Sequence, residues 1–263
     1  MTAMSGIALI QGASRGIGLQ FCKTLLQRNP ATTVIATCRN PNSAQDLVQL
    51  KDSNPANLHI CKLDVTKEEE IVGVSKFVTD SFGRLDLLIN CAGMLHPSGK
   101  GETSLRSVDE QGLLSTIHTN AVGPLVMAKM LSPLLLNGQG QFGATPSDSG
   151  SAHCGIIANM SAKVGSITDN GLGGWYSYRM SKAALNMATK NLSIELGRGR
   201  RKVICVSLHP GTVDTDLSRP YHKNVPNLFT TEYSVNSLLQ VIESLTVEDS
   251  GKFFTYDRTE LPF

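Results

Sequence analysis

The 263-residue sequence has almost no charge imbalance: its formal net charge is +2, so there is no dedicated nucleic-acid surface to expect. Its one basic cluster, Arg198-Gly199-Arg200-Arg201-Lys202, closes a helical segment, where cations are favourable for structural reasons alone. No secretory-leader pattern and no apolar run of about 18 residues or more is found, so nothing is expected to span a membrane. The six cysteines (Cys22, Cys38, Cys61, Cys91, Cys154 and Cys205) show no metal spacing such as C-x-x-C. Most lie in apolar runs and read as small buried hydrophobes in a reducing, cytoplasmic compartment, with no metal and no disulfide framework. Internal repeats and a second composition regime are also lacking. What remains is an ordinary globular mixture, 41% hydrophobic and 17% charged, read as a single domain over 1–263.

Short apolar runs alternate with helical stretches of a dozen or so residues. That alternation predicts right-handed βαβ units, and hence an α/β, Rossmann-type doubly wound parallel sheet of about seven strands with helices on both faces. Ile7-Ala8-Leu9-Ile10 is the first strand, followed by Gly12-Ala13-Ser14-Arg15-Gly16-Ile17-Gly18 and a helix that Asn29-Pro30 ends. A strand, a glycine-rich turn and a helix N-terminus make a cradle for a pyrophosphate. The spacing is G-x-x-x-G-x-G rather than G-x-G-x-x-G. The second strand, residues 33–38, ends at Arg39 with no acidic residue to take a ribose 2′-hydroxyl. Arg39 and Arg15 suit a 2′-phosphate instead, which favours NADP(H) over NAD(H).

Further strands are expected at 58–61, 86–90, 155–160, 203–208 and 251–254, with helices at 68–82, 108–136 and 231–245. Asn120-Ala121-Val122-Gly123-Pro124 should break the long helix in its middle, as a functional kink at Asn120. Residues 138–153 read as a mobile surface loop and residues 212–230 as a substrate lid. In such sheets ligands bind beyond the C-terminal strand ends, so the glycine turn, Asn90 and Ser161 share one rim.

Tyr178 and Lys182 stand four apart at the start of a proline-free helical segment, so both can point into one space. A free phenol titrates near ~10, and lowering it by about three units needs roughly 4 kcal/mol. One ammonium about 4 Å away supplies roughly that at an effective dielectric of about 20. On this reading Lys182 depresses the Tyr178 pKa and makes it a general acid.

Taken together and in order, Gly12-x-x-x-Gly16-Ile17-Gly18, Asp64-Val65, Asn90-Cys91-Ala92-Gly93, Asn120, Ser161, Tyr178-x-x-x-Lys182 and Pro210-Gly211 resemble a short-chain dehydrogenase/reductase of the single-domain type. Within that family, residues 211–220, Asn224-Val225-Pro226 and Gly251-Lys252-Phe253-Phe254 are most similar to the C-factor/sniffer group of carbonyl-reductase-like proteins. The resemblance implies NADPH-dependent reduction of a ketone or aldehyde. Tyr178 would protonate the carbonyl oxygen, Lys182 would bind the nicotinamide ribose, Ser161 would hold the substrate oxygen, and Asn120 would fix a water in a relay toward Lys182. It also implies that Asp64 and Val65 line the adenine site and that Asn90, Ala92 and Gly93 approach the cofactor by backbone. Pro210, Gly211, Val213 and Thr215 would cover the nicotinamide amide. Gln11 and Cys91 replace the family's usual Thr and Asn. Tyr176 and Trp175 are expected in the pocket wall, and His96 and His209 as packing residues or substrate contacts. A homodimer or homotetramer through 109–136 and 177–197 is the expected assembly. The alternative function is a dinucleotide-binding signalling or regulatory protein with little physiological catalysis.

Overall fold

The apolar runs become seven strands: β1 (Ile7–Gln11), β2 (Thr33–Cys38), β3 (Leu58–Lys62), β4 (Leu87–Asn90), β5 (Gly155–Met160), β6 (Val203–His209) and β7 (Phe253–Thr255). In the computed structural model, which describes residues 6–144, 152–225 and 227–263, they form one sheet in the order β3-β2-β1-β4-β5-β6-β7. Every strand pairing is parallel. Strands β1, β4 and β5 are buried along their whole length. That is why they read as unbroken apolar runs rather than as alternation.

The helices are α1 (Gly16–Arg28), α2 (Gln45–Ser53), α3 (Glu68–Phe82), α4 (Glu110–Ile117), α5 (Gly123–Leu136), α6 (Tyr176–Leu196) and α7 (Thr231–Glu243). One face of the sheet buries Phe21, Cys22, Leu25, Leu47, Leu238 and Ile242 from α1, α2 and α7. The other buries Ile71, Val74 and Val78 from α3, with Met127, Leu131 and Leu135 from α5. Helix α3 shows how local chemistry sets the bounds. Three glutamates, Glu68 to Glu70, occupy its positive N-terminal turn, and Gly83 adopts a left-handed φ of 66° to close its C-terminus.

Two expectations change in detail. Asp86 is not part of β4. Its carboxylate instead accepts from Ile7 N at 2.9 Å and from Gln139 N at 2.6 Å, tying the strand start to the loop after α5. The long helix is not broken. A π-helical turn, His118–Val122, joins α4 to α5. Proline at 124 cannot donate to the Asn120 carbonyl four residues back, and widening the turn accommodates the missing bond. Read as one helix, Glu110–Leu136 is long and apolar enough to cross a membrane by length and composition, although its sequence is not an unbroken apolar run. Half of it is buried inside the molecule, as in a core helix.

The basic cluster is structural. Arg201 donates to the carbonyls of Leu136 and Gly138, clamping the turn before β6 to the end of α5. Residues 145–151 of the expected 138–153 loop lie outside the described residues, and its flanks are bonded, Gly140 N to Cys154 O at 2.8 Å. In the 212–230 segment, Arg219–Asn224 forms a short 3-10 helix. Val213 bridges to Phe229.

Candidate active site

All strands run the same way, so their C-terminal ends form one rim, and the order reverses between β1 and β4, where a crevice opens. The turn after β1 is tight. A Cβ on Gly12 (φ 85°) would fall 2.7 Å from Ala92, and one on Gly18 would lie 2.2 Å from the Gly12 carbonyl. Only glycine lets α1 start this close to the rim. The first turn of α1 holds no acidic residue, so its N–H groups and dipole face the crevice without a competing anion. A cavity of about 1160 Å³ runs from this turn to α6. Gly12, Ser14, Arg15, Gly16, Ile17, Gly18, Arg39, Asp64, Val65, Ala92, Gly93, Ser161, Tyr178, Lys182, Pro210, Gly211, Val213 and Thr215 all line it.

Two of the predicted catalytic and cofactor-binding residues do not. Asn90, expected at the cofactor, is buried, and its Nδ2 donates to Asn159 Oδ1 at 2.8 Å. Asn159 Nδ2 in turn donates to Thr189 Oγ1 at 2.8 Å. Asn90 therefore begins a polar chain that fixes α6 on the sheet. Asn120 is also buried. Its Oδ1 accepts from Met94 N at 2.9 Å, and its Nδ2 donates to Met94 O at 2.8 Å and to Ser181 Oγ at 2.9 Å. It still borders the site. A Cβ placed on Gly93 would lie 3.5 Å from Asn120 Oδ1 and 3.6 Å from Lys182 Nζ.

The centre differs from the electrostatic expectation. Lys182 Nζ donates to Met160 O at 2.7 Å and stands 5.6 Å from the centroid of the Tyr178 ring. The ammonium is spent on a strand-end carbonyl rather than on the phenol. Burial then dominates both groups: it pushes the Tyr178 phenol above its ordinary value and pulls Lys182 down to about 8, against a smaller upward pull from Cys91. Ser161 Oγ donates to Asn186 Oδ1 at 2.7 Å. Apolar and aromatic groups surround the phenol: Leu95, Ala162, Val164, Leu217, Trp175 and Tyr221. Trp175 meets Tyr178 edge-on at 6.1 Å and Tyr221 at 4.6 Å. Tyr176, expected beside Trp175, is not among the lining residues.

The cationic residues fit a phosphorylated nucleotide. Arg39 follows β2 on the cavity wall and helps hold Asp64 below the ordinary carboxylate range. Burial pushes that carboxyl the other way, but hydrogen bonds from Thr66, with the nearby charges of Arg39 and Lys67, outweigh it. Arg15 reaches Asp216 Oδ2 at 3.1 Å, and Thr215 Cγ2 would lie 3.4 Å from a Cβ on Gly16, so the 212–230 segment rests on the glycine turn. The tight turn, the open α1 N-terminus and the two guanidinium groups suit a nicotinamide dinucleotide.

Sequence reasoning did not find Asn186, Ser181 or Glu102. The Glu102 carboxylate accepts from Ser177 N at 3.1 Å and from Ser177 Oγ, and its backbone carbonyl accepts from Trp175 N at 2.6 Å. It satisfies the first turn of α6 from 75 residues away. No local signal marks such a contact. Asn186 is legible only in hindsight, as the next turn but one along the Tyr178–Lys182 face.

Residues 6–226 match the family model described as short chain dehydrogenase. The C-signal protein of Myxococcus xanthus is 36% identical over 181 residues, covering 69% of this chain and 94% of that one. The NADPH-bound carbonyl reductase from chicken fatty liver superposes with a TM-score of 0.83 at 32% identity, covering 97% of this chain and 98% of its own. The carbonyl reductase Sniffer of D. melanogaster gives 0.83 and 32%, covering 99% and 100%.

Proposed function

The chain belongs to the short-chain dehydrogenase family, in its carbonyl-reductase-like group, and from that premise we propose that it reduces a ketone or aldehyde to an alcohol with NADPH. The observation that carries the proposal is the phenol of Tyr178, buried among apolar side chains on the wall of a cavity that also holds Lys182 and Ser161. Gly12 to Gly18 would hold the pyrophosphate, Arg15 and Arg39 the 2′-phosphate, Asp64 and Val65 the adenine, and Ala92, Gly93 and Pro210 to Thr215 the nicotinamide half. When bound, NADPH supplies the hydride.

The protein's own groups supply the rest. A phenol pushed upward by burial keeps its proton at neutral pH, which is the state needed to donate to a carbonyl oxygen as it gains negative charge. Lys182, anchored by Met160, presents a donor to the ribose hydroxyls. Ser161, beside it, offers a hydroxyl to the substrate oxygen once it turns from Asn186. Tyr178→Phe is expected to lower turnover by at least about 10²-fold while leaving NADPH binding nearly intact. Unchanged turnover would sink the proposal.

A second reading rests on the likeness to C-signal: a dinucleotide-binding regulatory protein. Tight NADPH binding with no turnover across ketones, aldehydes and quinones would favour it. We place the protein in the cytoplasm as a homodimer or homotetramer. Exposed Leu114, Val122 and Leu125 on α4–α5, with Met180, Met187 and Ile194 on α6, support pairing through these helices. Sedimentation is expected to show a dimer or tetramer at micromolar concentration, and a monomer there would reject this.

A further inference from the structure

The chain turns left-handed at three successive residues before α6: Gly173 at φ 65°, Gly174 at φ 67° and Trp175 at φ 50°. Glycine is at ease there and tryptophan is not, because a Cβ crowds the following carbonyl. Among the described residues only Arg258 otherwise combines a side chain with a positive φ. The run is held from the next turn of α6. Arg179 Nε donates to the Gly173 and Gly174 carbonyls at 3.2 and 3.1 Å, and its Nη1 donates to Val164 O at 3.1 Å. Strain kept in place by its surroundings, beside a candidate active site, points to a use for the side chain that bears it.

That side chain is gripped by segments far apart in sequence. Gly101, buried in the loop after β4, packs behind the indole: a Cβ there would lie 2.7 Å from Trp175 Cγ and Cδ1. Glu102 O accepts from Trp175 N at 2.6 Å. Tyr221, from the 212–230 segment, sets its ring 4.6 Å from the indole, tilted at 51°. Its hydroxyl accepts from Gly101 N at 2.8 Å, which closes the clamp. The indole then meets the Tyr178 ring edge-on, at 6.1 Å and 69°, a geometry that aromatic pairs prefer. Trp175 and Tyr221 line the cavity, and Gly101 is not among the residues that do.

We propose that Trp175 is a positioning residue that acts through Tyr178, and that Gly101 and Tyr221 form the clamp that sets it, so that the phenol hydroxyl is aimed at an arriving carbonyl oxygen. The proposal rests on the reductase reading, which makes Tyr178 the proton donor. A phenol ring turns about two torsions, the second of them broad. A misplacement of about 1 Å at a reacting group can cost about 10² in rate, so a wall against the ring flank has a direct kinetic use.

Gly101 offers the test. Its backbone lies outside the left-handed region and accepts alanine, and the three atoms nearest an added methyl all belong to the indole. Gly101→Ala should therefore displace Trp175 without entering the cavity. Trp175 is the one tryptophan of the chain, so its emission reports the displacement, and acrylamide quenching should rise. With NADPH and the best substrate from a panel of ketones, aldehydes and quinones, the single-turnover rate should fall about tenfold or more while NADPH affinity stays nearly unchanged. Gly101→Ala combined with Trp175→Phe, whose smaller ring makes room for the methyl, should recover most of that rate. Tyr221→Phe, which removes only the hydroxyl that holds Gly101 N, should shift quenching and rate in the same sense by less. A natural rate in Gly101→Ala, unchanged quenching in Gly101→Ala and Tyr221→Phe, or a double variant no faster than Gly101→Ala would each overturn the assignment. Absence of turnover in the natural protein, with quenching raised in both single variants, would overturn the reductase reading and leave the clamp standing.

Discussion

At the level of single residues, Lys182 works against folding at neutral pH. Its folded-state value of about 8 lies below the ordinary 10.5, because burial disfavours the ammonium. The unfolded chain therefore binds the proton more tightly. The penalty is full below about pH 8, roughly 3 kcal/mol, and is relieved as pH rises toward the unfolded value. Lys182→Met should raise the thermal midpoint at pH 7 while abolishing turnover, and its lead over the natural protein should shrink between about pH 8 and 10.5. A lead that stays constant across that range would mean that the buried charge is not its source. Tyr178 itself was legible from spacing: only it, and not Tyr176, has a lysine four residues on. Its proton affinity was not legible, because helical spacing brings two side chains to one face but does not choose their partners. The partner here is Met160 O, supplied by β5.

Among the elements, α6 depends on a residue outside it. Trp175, which precedes it, is left-handed at φ 50°, and no side chain of its own sequence caps its N-terminus. Glu102 does so from the loop after β4. Glu102→Ala should cost about 2 kcal/mol in thermal unfolding, while Glu102→Gln, which keeps an acceptor, should cost less. If both variants melt with the natural protein, Glu102 is not the cap. The same principle explains the π turn. Asn120, Gly123 and Pro124 announce an irregularity, but local propensity cannot tell a break from a widened turn. The bonds from Asn120 to Met94 and Ser181 select the continuous form by holding it in register.

For the whole molecule, the cavity joins β1, β2, β5, β6, the turn after β4 and the 212–230 segment, so cofactor binding should stabilise the domain as a unit. NADPH at about 100 times its Kd adds roughly 2.7 kcal/mol, or about 5–10 °C in midpoint for a chain of this size. NADH at equal concentration should add less, and Arg39→Asp should reverse the order. Equal shifts from the two cofactors, before and after that substitution, would remove Arg39 from the 2′-phosphate site.

The order of strands and helices, the glycine turn, the Tyr178–Lys182 pair and the missing acid after β2 are local patterns, governed by burial period, backbone freedom and side-chain chemistry. By itself the sequence determined these, and with them the fold class and the position of the rim. Only the tertiary structure decided that Asn90 braces α6, that Lys182 turns to Met160 and that Glu102 caps a helix 75 residues away. Each of these depends on which segments pack together, and burial then sets hydrogen-bond partners and proton affinities that no spacing along the chain encodes.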